Sequence, residues 1–152
     1  MSRERFIQLK RFFRVDDRNR RDPTDPLGPV RNVWSLFHSR LTEYYSPEAD
    51  LTIAEQLLEF HGHVKFKTYI PTKPGKYGMK IIWLCEASSG YALNGLVYIG
   101  ESTLTQAEKV GVKIPEAVTM KVVAPFLNKG YNITALHWHS VSQLKIQQLL
   151  EA

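Results

Sequence analysis

The sequence predicts an α/β fold, in which a helical N-terminal part precedes a mixed sheet with helices. Three observations lead to it. Residues 79–85 (Met-Lys-Ile-Ile-Trp-Leu-Cys) are apolar on both alternations and lie between turn residues, the pattern of a strand buried on both faces. Upstream, Val33, Phe37, Leu41 and Tyr44 recur at spacings of four, four and three, the period of an amphipathic helix. Downstream, strand and helix patterns alternate to the end of the chain.

Taken in order, residues 5–14 carry Phe6, Leu9 and Phe13 at helical spacing and form a short helix. Residues 14–29 are polar and hold Pro23, Pro26 and Pro29, so they read as a solvated loop. The Arg18, Arg20 and Arg21 cluster in it is diluted by Asp16, Asp17, Asp22 and Asp25. Pro29 suits the first turn of the next helix, which ends before Pro47 and whose apolar stripe is expected to pack in the core. Thr52 and Glu55 have capping-box spacing, with Ile53, Leu57, Leu58 and Phe60 behind them. They predict a helix stopped by Gly62. Residues 64–77 interleave lysines with aromatics and suit a hairpin with one wet and one packed face.

After the strand at 79–85, the Ser88-Ser89-Gly90 turn leads to a second strand over 91–99, which Asn94-Gly95 is able to split. Residues 100–113 read as a loop with a short strand. Pro115 opens a helix that Pro125 kinks or shortens. Residues 131–136 form a third strand, and Ser140 or Ser142 caps a last helix through Leu144, Ile146, Leu149 and Leu150. The helical part is thus expected over 1–63 and the sheet core over 64–152.

Length and composition bound the function. The 152 residues suit one domain with a sizeable core, and 43% hydrophobic with 23% charged residues is ordinary for a globular chain rather than a disordered one. A net charge of +5 is compatible with a polyanionic partner such as nucleic acid. The lone Cys85 excludes an intrachain disulfide and fits a reducing compartment. The charged N-terminus has no apolar signal segment and no stretch reaches transmembrane length, so a cytosolic or nuclear chain without a membrane partner is expected.

Three groups of residues are candidates for chemistry. Glu86 ends the buried strand, where a carboxylate either ligates a metal or simply meets water. His61 and His63 form a His-x-His pair, but across a glycine. Lys65, Lys67, Lys73, Lys76 and Lys80 alternate with Phe66, Tyr69 and Tyr77, a pattern that grips a phosphate backbone and stacks on bases, or else lines the wet face of a hairpin.

The element order fits, among other folds, the ribonuclease H-like fold. Four blocks make the resemblance specific: PVRNVWSLF at 29–37, LTIAEQLLEFHGH at 51–63, YIPTKPGKYGMKIIWLCEASSGY at 69–91 and NKGYNIT at 128–134. In this order they resemble the transposase domain of the piggyBac family, over nearly the whole chain. The resemblance implies a truncated ribonuclease H-like core, a nuclear location, double-stranded DNA as partner, and three aspartates binding two divalent metals, usually magnesium, for strand cleavage and joining.

The sequence departs from the family where the chemistry lies. The IDEQ-like motif reads Ile53-Ala54-Glu55-Gln56. The first catalytic aspartate matches Glu86, whose extra methylene moves the carboxylate by about 1.5 Å. The second falls on Leu136, which cannot ligate a metal, and the third lies beyond Ala152. A domesticated transposase-like module without catalysis or cofactor is therefore expected. His137 and His139, with Glu86 on what is expected to be an adjacent strand, are the one set able to form a new zinc site. A protein-interaction module, with its partner at the edge of a truncated sheet, or a decayed fragment without function is the alternative to DNA binding, and a metal-dependent transposase or nuclease the third reading.

Overall fold

The computed structural model describes residues 1–106, 108, 111 and 113–135. The chain divides into two compact units, Met1–Ser39 and Arg40–Ala152.

The first unit is helical. α1 spans Arg3–Phe12. The Ser2 hydroxyl caps it by accepting from the Arg5 N–H at 3.2 Å, and Glu4 in the first turn with Lys10 and Arg11 in the last complement the helix dipole. After a 3-10 turn at Arg18–Arg20, α2 runs over Arg31–Arg40. The loop between them is tied by two ion pairs. Arg21 reaches Asp16 at 2.5 Å and Arg31 reaches Asp25 at 2.6 Å. Arg21, read as part of a basic cluster, is thus engaged by a carboxylate. The periodicity located both helices but not their surroundings. Neither has a buried residue, and Phe6, Leu9, Phe13, Val33, Leu36 and Phe37 are all exposed. Within α2 the stripe is exposed, contrary to the expectation from its spacing, and of the four residues that define it only Leu41, just past the helix end, is buried.

The second unit is a five-stranded sheet: β1 (Asp50–Glu59), β2 (Thr68–Tyr69), β3 (Tyr77–Glu86), β4 (Ala92–Tyr98) and β5 (Asn132–Ala135). β3 pairs antiparallel with β1, β2 and β4, and β5 joins the other side of β1 in parallel. Three antiparallel strands, a helix, and a strand returning parallel to the first make the ribonuclease H-like order that the sequence led us to expect.

β1 corrects the reading of 52–60 as a capped helix. Leu51 and Ile53 are buried on one face while Ala54, Gln56 and Leu58 are exposed on the other, an alternation of two. Nine residue pairs with β3 engage its backbone on one side, and four with β5 engage Asp50–Ile53 on the other. The sheet unit therefore begins upstream of residue 64, and the helical unit ends at Ser39 rather than at His63.

β3 is the central strand the apolar run predicted, with Ile82 and Leu84 almost fully buried. β4 runs through Asn94-Gly95 without a turn, its ladder shifted only between Leu84 and Cys85. Residues Gly100–Thr103 form a 3-10 turn at the start of the loop expected over 100–113. α3 (Ile114–Val123) has Pro115 in its first turn, and Pro125 falls in the 3-10 turn Ala124–Phe126 that ends it. Ala117, Val118, Val122 and Val123 of α3 pack with Leu51, Ile53, Ile82, Leu84 and Leu93 of the sheet. Each fully buried Val or Leu contributes roughly 1.5–3 kcal/mol. The opposite face, carrying Ala54, Gln56, Leu58 and Trp83, is far more open.

Candidate functional site

Glu86 ends β3 and is 1% exposed. Its carboxylate is a hub of structural hydrogen bonds. The Glu48 backbone N–H donates to it at 2.8 Å, Ser88 Oγ at 3.3 Å, and the Tyr45 and Ser89 hydroxyls donate as well. Tyr45 also stacks on Tyr91 at 4.3 Å, and the Tyr91 hydroxyl donates to the Leu41 carbonyl at 2.9 Å. The segment before β1 is thereby fastened to the end of β3. These donors, the Glu48 N–H foremost and then the Ser89 and Tyr45 hydroxyls, hold the Glu86 carboxyl down to about 2 from an ordinary 4.5. The same bond raises the Tyr45 phenol. A carboxylate accepts about four hydrogen bonds, and four donors already occupy this one. The residues around it were not foreseen as a group. Only the Ser-Ser-Gly turn was visible in the sequence, because Tyr45 and Glu48 arrive from some forty positions upstream.

The ladders place Glu86 on β3, with β1 between it and β5. Glu86 aligns with Leu51 of β1, which aligns with Ile133 of β5. The last described pair of that parallel ladder is Ile53↔Ala135, and the residues that follow in sequence are Ala54 and Leu136. Ala54 itself pairs with Trp83. Three residues along a strand is about 10 Å, and β1 separates β3 from β5. Glu86 is therefore not on a strand adjacent to the one leading to His137 and His139, as expected for a His-His-Glu site. Leu136, His137 and His139 lie outside the described residues. Among the described residues, no group of three or more His, Cys, Asp or Glu is placed to hold a metal ion. His61 contacts Glu59 at 2.8 Å on the surface, and His63 is also exposed. Cys85 is half-buried, and burial pushes its thiol up, away from nucleophilic character.

The lysines divide into two sets. Lys80 lies 2.6 Å from the Glu55 carboxylate and over the Tyr98 ring, and Lys73 donates to the Glu55 carbonyl at 3.2 Å. Both are spent on the sheet. Lys65, Lys67 and Lys76 are exposed on the hairpin, with Lys67 3.5 Å from the Gly62 carbonyl. On the same hairpin Tyr69 pairs across the ladder with Tyr77, their rings 4.6 Å apart. The hairpin was legible in the sequence; the division of its lysines was not.

A family model described as "Transposase IS4" matches residues 1–151. The chain belongs to the piggyBac-type transposase IS4 family. It is also similar, over its whole length, to a chain of the cryo-EM structure of the piggyBac transposase synaptic complex with hairpin DNA, at 33% identity and a TM-score of 0.73. It spans 36% of that chain. The transposase resemblance read from the four sequence blocks and the fold it implied are thereby shown. Among the described residues no helix is long and apolar enough to cross a membrane.

Proposed function

We propose that this chain is a piggyBac-type transposase-derived module that binds DNA without cleaving it, and that it acts in the nucleus, where such DNA lies. The observation that carries the loss of cleavage is the register of β1 with β5. β1 is the first strand of the sheet and β5 the strand after α3, where the ribonuclease H-like fold sets its carboxylates. The residues that follow the last described pair, Ile53↔Ala135, in the sequence are Ala54 and Leu136, both at positions where the family motifs have aspartate. Neither side chain offers an oxygen to magnesium, which takes oxygen ligands in near-ideal octahedral geometry. Glu86, the remaining carboxylate, is committed to its four donors. The residues present do not fit a two-metal site, and no catalytic step runs through one.

DNA binding is supported by the exposed lysines of the hairpin, by the net charge of +5, and by the similar structure being a complex with hairpin DNA. The test is binding of the purified chain to duplex DNA across a salt series, with and without magnesium. Expected is affinity that falls steeply with salt, with a log–log slope of about −0.9 per phosphate contact, and that ignores magnesium. Magnesium-dependent cleavage would overturn the reading, as would no binding at low salt.

A second reading, a protein-interaction module, is favoured by the exposed apolar residues of α1 and α2. The edge of β5 away from β1, where a protein partner was expected, pairs with no strand among the described residues.

A further inference from the structure

The hairpin carries more than charge. Residues 60–80 contain five lysines and neither Asp nor Glu. With Lys73 and Lys80 turned to Glu55, the exposed cationic groups are Lys65, Lys67 and Lys76, on the same strand pair and connections as the two tyrosines. Tyr69 and Tyr77 sit directly opposite each other in the ladder, their rings tilted by 32°, and each is more than half exposed, at 54% and 52%. They belong to the open face of the sheet that also carries Leu58, opposite the face that packs on α3.

A phosphate contact needs cations alone, and continuous duplex keeps its bases stacked inside. Two large, wet rings on a segment with five lysines and no carboxylate of its own, with Glu59 of β1 the acidic neighbour at Gly75, suit a different substrate feature. Unpaired bases present π-faces that stack on aromatic side chains, while lysines hold the backbone beside them. Resting on the DNA-binding reading above, we propose that the Tyr69–Tyr77 pair is a stacking platform for unpaired bases, so that the chain prefers single-stranded or unpaired DNA to continuous duplex.

The experiment is fluorescence anisotropy of the full chain with an oligo-dT strand and with a duplex of equal length, at low salt. The wild-type chain is expected to favour the single strand. Tyr69→Leu/Tyr77→Leu keeps apolar bulk on the hairpin but removes the rings, and should lose roughly 5- to 150-fold in single-strand affinity while duplex affinity holds. Tyr69→Phe/Tyr77→Phe keeps the rings and should bind as wild type, which separates stacking from folding defects. Equal wild-type affinity for the two forms, or single-strand affinity unchanged in the leucine variant, overturns the platform and leaves DNA binding intact. No binding to either form overturns both.

Discussion

Gly95→Ala tests how the open face of the sheet is packed. A Cβ built at Gly95 would lie 2.3 and 2.4 Å from two ring carbons of Trp83, its ladder partner, about 1 Å inside ordinary van der Waals contact. The ring is held from its other end, because its indole N–H donates to the Gln56 side chain at 2.9 Å. A methyl group must therefore push the ring aside, which costs about 1–3 kcal/mol for overpacking. Breaking the indole bond adds about 1 kcal/mol. Replacing a glycine in a strand returns about 0.5–1 kcal/mol through reduced chain entropy. The net expectation is a loss of about 1–3 kcal/mol. With a urea slope of about 1–3 kcal/mol per molar, that is a midpoint lower by roughly 1 M. The assay is urea unfolding of Gly95→Ala alone and in a Trp83→Leu background. Without the ring, the alanine should cost almost nothing, and the coupling between the two positions should account for most of the single-variant loss. An equal cost in both backgrounds, or a neutral Gly95→Ala, refutes the reasoning.

Gly78→Ala should be worse, at about 3 kcal/mol or more, because its Cβ would lie 2.2 Å from the Leu58 carbonyl oxygen, a backbone atom that moves only if the β1–β3 ladder opens. The same urea assay checks it. Glu86 gives a pH dependence. Its carboxyl is held at about 2 against an ordinary 4.5, so the stabilisation it provides is complete above pH 4.5 and is lost as the pH falls from there towards 2. Glu86→Gln should make that acid limb shallower in a plot of urea midpoint against pH, leaving the part that Glu108, also held at about 2, contributes, and an unchanged limb would rule out a contribution from Glu86. Replacing Lys65 or Lys76 by alanine should lower the salt slope of DNA binding by about 1. Lys80→Ala should leave the slope alone and lower stability instead, since it removes the 2.6 Å ion pair with Glu55.

The sequence by itself determined those elements whose signal is local. The two-sided apolar run at 79–85 has no good alternative to a buried strand, and Pro115 marks a helix start that the backbone adopts. The transposase resemblance was also legible, because four separate blocks carry it. Tertiary structure decided the rest. Thr52-x-x-Glu55 followed by Ile53, Leu57 and Leu58 satisfies a helix pattern as well as a strand pattern. Only the presence of β3 along Leu51–Glu59, and of β5 along Asp50–Ile53 on the other side, selects the strand. The periodic stripes of α1 and α2 define an apolar face without saying what covers it. Glu86 has a position in the sequence that suits a metal ligand and a strand end equally well. What surrounds it came from Tyr45 and Glu48, brought to its carboxylate from a distant segment, and from a register that sets Ala54, not Glu86, on the strand beside β5. Pairing between strands far apart in the chain is a property of the whole fold, and no local pattern encodes it.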